Sequence, residues 1–146
     1  TNHTLSKRTQ IRDCILYSTS LSQCYAGLSD SNSVKFIGDT IGGWVKSRSD
    51  SNDCSVFSGS VDGVQWRYYA SGDCSTTADL TTIRGAIDSF LSNNVNGRCQ
   101  QMCLQMNHGG TWNGYLSITP AGAPAPTDCG QINYGSCASY GGKNDL

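Results

Sequence analysis

Eight cysteines in 146 residues constrain this chain more than any other feature. Cys14, Cys24, Cys54, Cys74, Cys99, Cys103, Cys129 and Cys137 form an even set, spread along a weakly charged sequence rich in Ser, Thr, Asn and Gly. That pattern reads as a framework of four disulfides made in an oxidising compartment. Each bond would contribute roughly 2–4 kcal/mol, mainly by restricting the unfolded chain. Such cross-links support a core poor in Leu, Phe and Met. Spacing does not choose among the possible pairings. The competing assignment is a metal site drawn from Cys99, Cys103 and His108, with Cys74 as a fourth ligand. Structural zinc favours more tightly spaced cysteine pairs, and disulfides account for the same residues with fewer assumptions. No metal and no cofactor is expected.

Charge narrows the function classes. Lys+Arg is 10 and Asp+Glu is 11, giving a formal charge of −1. This balance removes the electrostatic drive towards nucleic acid or anionic lipid, so no nucleic-acid partner is expected. Every acid is Asp. Mechanisms that require a Glu base, among them the helical zinc proteases and the zinc deaminases, are therefore excluded. His3 and His108 are the only histidines, which weakens any two-histidine acid–base scheme. No run reaches the roughly 18 apolar residues of a membrane-spanning helix. The length fits one domain.

The ends point to the secretory pathway. Asn2-His3-Thr4 is a glycosylation sequon, with Asn2 the acceptor. Lys7-Arg8 resembles a dibasic site for a secretory-pathway processing protease, with a chance dibasic pair as the alternative. The expectation is a secreted chain released from a precursor that carried a signal peptide, with a second chain from that precursor as a candidate partner. Lys143-Asn144-Asp145-Leu146 resembles a retrieval tetrapeptide of the endoplasmic reticulum but departs at both middle positions. A chance match is the simpler explanation.

Periodicity then places the elements. Residues 11–17 are β-prone. Residues 33–46, capped by Ser31 or Ser33, place Ile37, Ile41 and Trp44/Val45 on one helical face. Gly38, Gly42 and Gly43 oppose that helix by about 1 kcal/mol each. Gly38 and Gly42 are four apart, so they share a face and permit close backbone packing. Asp62-Gly63 between the alternating stretches 54–61 and 64–70 is a strong hairpin signal. Trp66 and Tyr68 would share one face of it, Arg67 and Tyr69 the other. Residues 77–92, with Thr76 as N-cap and Asp79 in the first turn, repeat apolar residues at helical spacing. A second hairpin occupies 97–119, and Pro120 to Pro126 is an extended connector.

The expected fold is α+β, a two-layer sandwich. An antiparallel sheet of two hairpins, with an N-terminal strand, would carry two helices on one face in a split β-α-β-like order. The domain reading is a disordered segment at 1–10 with the dibasic site, an α/β sandwich at 11–119, and a Pro/Gly-rich connector and disulfide-tied tail at 120–146.

Candidate chemistry is sparse. His108 lies in Asn107-His108-Gly109-Gly110, where Asn and Gly supply the positive φ of a hairpin loop. A turn is the plain reading, with binding or catalysis beside a nearby Asp as the alternatives. No nucleophile elbow or comparable motif is present. Asp73 and Asp79 read as turn and capping residues. Trp44, Trp66, Trp112 and the seven tyrosines invite a carbohydrate-stacking or membrane-interface reading, although aromatic residues on strands are ordinary packing partners. Loops on a stiff scaffold commonly carry function. The candidate binding residues are accordingly Asp62, Arg67, Tyr69, His108, Trp112 and Tyr115, around the two hairpin loops. No catalytic residue is assigned.

One compound pattern goes further. Cys54, Gly63, Trp66-Arg67-Tyr68-Tyr69, Gly72-Asp73-Cys74-Ser75-Thr76-Thr77-Ala78, Thr82-Ile83-Arg84-Gly85-Ala86-Ile87, Cys99-x3-Cys103 and His108 to Leu116 together span roughly 33–119. The pattern resembles the C-terminal domain of small fungal secreted proteins related to the yeast condition-specific secretion proteins. At fold level the chain is similar to small fungal killer toxins, disulfide-bonded α/β sandwiches released at dibasic sites. The resemblance implies a secreted, glycosylated, antimicrobial protein of killer-toxin type. It would bind a competitor's cell-wall polysaccharide or surface receptor and be cytotoxic without covalent catalysis. Two alternatives stand beside it: a non-toxic effector or glycan-binding surface module, and a small secreted hydrolase or nuclease using His108.

Overall fold

The computed structural model describes residues 11–28, 30–108, 112–129 and 136–140, with backbone alone at 17–19 and 136–140. Asn2, Lys7, Arg8, the tetrapeptide at 143–146, Gly109, Gly110 and the side chain of Cys137 lie outside what is described. In chain order the elements are β1 (Ile11–Ser20), α1 (Ser31–Asp50), β2 (Phe57–Val61), β3 (Val64–Gly72), α2 (Leu80–Phe90), β4 (Gln100–Asn107), β5 (Trp112–Pro120) and β6 (Ser136–Tyr140). A π-helical turn, Leu91–Val95, continues α2. The strands form one antiparallel sheet in the order β2-β3-β5-β4-β1-β6. The class is α+β, as expected. The strand at β6, which extends the sheet beyond β1, was not anticipated.

Local chemistry explains most boundaries. Asp62 and Gly63 adopt φ of 48° and 86°, the two positive values that a two-residue hairpin turn needs, and they set Val61 opposite Val64. The cap of α2 is Asp79 rather than Thr76. Its Oδ1 accepts from the Thr82 backbone N–H and hydroxyl, both at 2.8 Å, so the helix starts at Leu80 instead of residue 77. Asp30, not Ser31 or Ser33, caps α1 by accepting from the Asn32 N–H. That helix runs four residues past the expected 46, because its last turn is held by polar contacts rather than an apolar stripe. Arg48 pairs with Asp53 at 2.6 Å, and the Ser49 hydroxyl accepts from the Thr76 N–H at 2.8 Å.

One apolar cluster joins the helices to one face of the sheet. Alternation along β3 buries Val64, Trp66, Tyr68 and Ala70, as period two requires. Val34, Ile37, Ile41 and Val45 enter the cluster from α1, and Ile83, Ala86, Ile87 and Phe90 from α2. Trp44 does not accompany Val45 inward; it is 49 % exposed. The helices meet through small residues. A Cβ at Gly42 would lie 2.8 Å from Arg84 Cγ, and one at Gly38 would overlap the Asp88 carboxylate.

The opposite face of the sheet is covered by the segment after β5. Gln65 donates to the Pro120 and Ala123 carbonyls at 3.1 and 2.8 Å. Gln101 donates to the Thr127 carbonyl at 3.0 Å and accepts from its N–H at 3.2 Å. Arg67 pairs with Asp128 at 2.7 Å, and Cys103 is bonded to Cys129. The proline-rich connector is thus strapped across the sheet. Disulfides also join Cys24 to Cys99 and Cys54 to Cys74. Cys14 is cross-linked too, and the β1–β6 register sets Cys137 opposite it.

Candidate functional site

The two hairpin loops singled out in the sequence do not make one surface. The β3–β5 ladder pairs Val64 with Pro120 at one end and Gly72 with Trp112 at the other. Asp62-Gly63 and the 107–112 connection therefore lie at opposite ends of a nine-pair ladder, roughly 27 Å apart. Asp62 is the exposed turn residue. Arg67 is engaged with Asp128. Tyr69 stacks on its cross-strand partner Tyr115, with ring centroids 5.0 Å apart. Tyr115 and Trp112 are buried. The strand register thus separates the two loops, and Trp112 and Tyr115 pack inside the fold.

His108 has one hydrogen-bond partner among the described residues, the Thr77 hydroxyl, 3.3 Å from Nδ1. Its Nε2 is buried without a partner. Asp79, the nearby acid, directs its carboxylate to Thr82, and those bonds hold it below the usual carboxylate range. The geometry provides a Thr–His contact without an acid oriented on the imidazole. Among the described residues no group of three or more His, Cys, Asp or Glu is placed to hold a metal ion, and no helix is long and apolar enough to cross a membrane.

The notable concavity lies elsewhere, between α1 and the edge strand β2. Thr40, Trp44 and Arg48 recur every fourth residue and form one ridge of the helix. Phe57, Gly59 and Val61 point from β2 towards the helical layer, because Phe57 and Val61 pack on the core and side chains alternate. Gly59 supplies no side chain, and the ridge and the strand leave a groove of about 220 Å³ between them, lined also by Trp66. Ser58 and Ser60 line it along the edge strand, their side chains sharing the opposite face with Arg67 and Gln65.

Aromatic rings build this groove. Phe57 meets Trp66 edge to face at 5.2 Å and Trp44 at 6.2 Å. The Arg48 guanidinium lies over the Phe57 ring at 4.4 Å. Its charge is matched by Asp53, whose carboxyl is held down to about 2 by hydrogen bonds from Ser55 and then from Arg48. Trp66 is only 3 % exposed, yet its indole N–H has no acceptor among the described residues. Gly59 faces Trp66 across the β2–β3 pair. A Cβ there would lie 2.9 Å from Cζ2 and 3.3 Å from Nε1 of that indole. Glycine therefore leaves this ring edge uncovered by any side chain from the opposing strand.

Sequence reasoning included Trp44 and Trp66 among the aromatics but missed the site. The signal that could have found it is Gly59 in a strand that alternates otherwise, opposite a tryptophan.

Fold and groove together define a disulfide-stapled α+β domain with an aromatic, solvent-open groove at its sheet edge. Residues 1–127 match the model of a family described as a family of unknown function, DUF6736. The chain belongs to that family. No curated protein and no solved structure matches it.

Proposed function

We propose that this chain is a secreted recognition protein that works by binding a component of another cell's wall or surface, without covalent catalysis. The carrying observation is the groove. A rigid, cross-linked frame holds Trp44 half exposed above Phe57 and Trp66, and a ring kept in water on a stable scaffold is a ready anchor for a ligand. The disulfides support an extracellular location. The killer-toxin reading adds cytotoxicity to this binding step and draws on the resemblance to small fungal secreted proteins. The non-toxic surface module is the same step without killing, and the groove serves it equally. The hydrolase reading through His108 has less support, since among the described residues its imidazole hydrogen-bonds to Thr77 alone.

The test uses purified, oxidised protein on a panel of fungal cells at acidic and neutral pH, scoring surface binding and growth. Binding with inhibition supports the toxin, and binding without inhibition supports the surface module. Absence of binding across the panel overturns the proposal.

A further inference from the structure

Resting on the reading of the groove as the recognition site, we propose that it takes the flat face of a neutral, β-linked glycan of the glucose or N-acetylglucosamine type. The Trp66 indole N–H is its buried hydrogen-bond donor.

Three observations select this ligand chemistry. The first is charge: among the described residues no carboxylate lines the groove, and its single cation, Arg48, is already matched by Asp53. An anionic headgroup or an acidic peptide would find no free counter-charge, and a cationic ligand would find no anion.

The second is the surface offered. Trp44 presents a half-exposed ring, beside Ser58 and Ser60 of the edge strand β2, whose outer backbone edge has no partner strand among the described residues. An aromatic face is negative and attracts polarised C–H groups. A pyranose with equatorial hydroxyls shows an apolar C–H face with hydroxyls around its edge, so face and rim are matched together. A mannose unit carries an axial hydroxyl, and an α-linked chain does not extend as a flat ribbon. The volume of about 220 Å³ lies below that of most drug-sized pockets and suits single rings of a chain passing along an open channel.

The third is the orphaned donor. A buried N–H without an acceptor costs free energy in the empty protein, and a ligand oxygen brought to it removes that cost. Trp66 is buried, unpartnered and part of the groove wall, while Gly59 puts no side chain over that edge of the ring.

The experiment is an NMR titration of the intact, disulfide-bonded protein, following the indole N–H cross-peaks of Trp44, Trp66 and Trp112. The probes are laminari-, chito- and manno-oligosaccharides of equal length and a proline-rich peptide. The expected result is that the laminari- or chito-oligosaccharide shifts Trp44 and Trp66 but leaves Trp112 in place. Trp44→Ala should weaken binding about tenfold or more, and Trp44→Phe should restore much of it. Trp66→Phe, which keeps a ring and removes the N–H, should weaken it about three- to tenfold, with the spectrum of each variant reporting its fold.

An unmoved Trp66 cross-peak at saturation, equal binding of the manno-oligosaccharide, or binding of the peptide alone overturns the inference. Failure here is separable from failure of the broader reading. If intact walls bind in a Trp44-dependent way while no β-glycan moves Trp66, the ligand assignment falls and the recognition site stands. If walls are not bound at all, both fall.

Discussion

The carboxyl group of Asp88 on α2 occupies the space that a side chain at Gly38 on α1 would fill. Asp88 is 4 % exposed, and its Oδ1 has no hydrogen-bond partner among the described residues. Burial, and then the Asp39 carboxylate, push its pKa up to about 7, against the pull of Arg84 and Lys35. The folded state therefore holds this proton more tightly than the unfolded chain does. Stability should be full in mild acid and fall as pH rises from about 4 through about 7, by up to about 4 kcal/mol. Asp53 acts in the opposite sense. Its lowered value adds stability that is lost as pH falls from the ordinary carboxylate range towards about 2. Denaturant midpoints between pH 3 and 8 should peak in mild acid, and Asp88→Asn should flatten the decline above the peak.

Two glycines on α1 should respond in opposite directions. Gly38→Ala drives a Cβ into the Asp88 carboxyl and should destabilise the fold by about 1–3 kcal/mol. Most of that loss should disappear in an Asp88→Ala background, because the clash has one partner. Gly43 has open space around its Cβ direction, so Gly43→Ala should gain up to about 1 kcal/mol of helix propensity. Chemical denaturation of the four variants reads both effects.

Non-reducing peptide mapping should recover Cys24–Cys99, Cys54–Cys74 and Cys103–Cys129, together with Cys14–Cys137, the pair that the β1–β6 register sets opposite. Replacing Cys54 and Cys74 by serine should cost about 2–4 kcal/mol. The same change should broaden the Trp44 and Trp66 signals, because this bond ties the approach to β2 to the segment leaving β3.

Gln101 clamps the connector through both the nitrogen and the oxygen of its side-chain amide. Gln101→Leu removes the donor to the Thr127 carbonyl and the acceptor for its N–H. Limited proteolysis should then cut within 121–128 faster than in the wild type, while the sheet stays intact.

What could be read from the sequence was local. Asp62-Gly63 specifies its turn through two backbone angles, and the spacing of Gly38 and Gly42 revealed the face where the helices meet. The α2 pattern was equally clear, although Thr76 and Asp79 both cap well and only the geometry chose between them. Long-range pairing was not visible. Nothing local brings 136–140 to β1, or sets the two hairpin loops at opposite ends of one ladder. Trp44 shows the same limit. Adjacent to Val45, it falls near the boundary of the apolar face, and only the position of β2 makes it a groove wall.

The central claim is that the groove beside Gly59 is where this protein meets its target. Co-sedimentation with purified fungal cell walls tests it most directly, comparing wild type, Trp44→Ala and Phe36→Ala. Phe36 is the matched control, an exposed aromatic on the same helix, 59 % exposed and outside the groove. The account predicts that Trp44→Ala loses at least about four-fifths of the bound fraction at wild-type half-saturation, a tenfold or greater weakening, while Phe36→Ala binds as wild type. Walls that retain Trp44→Ala as well as they retain the wild type would contradict it.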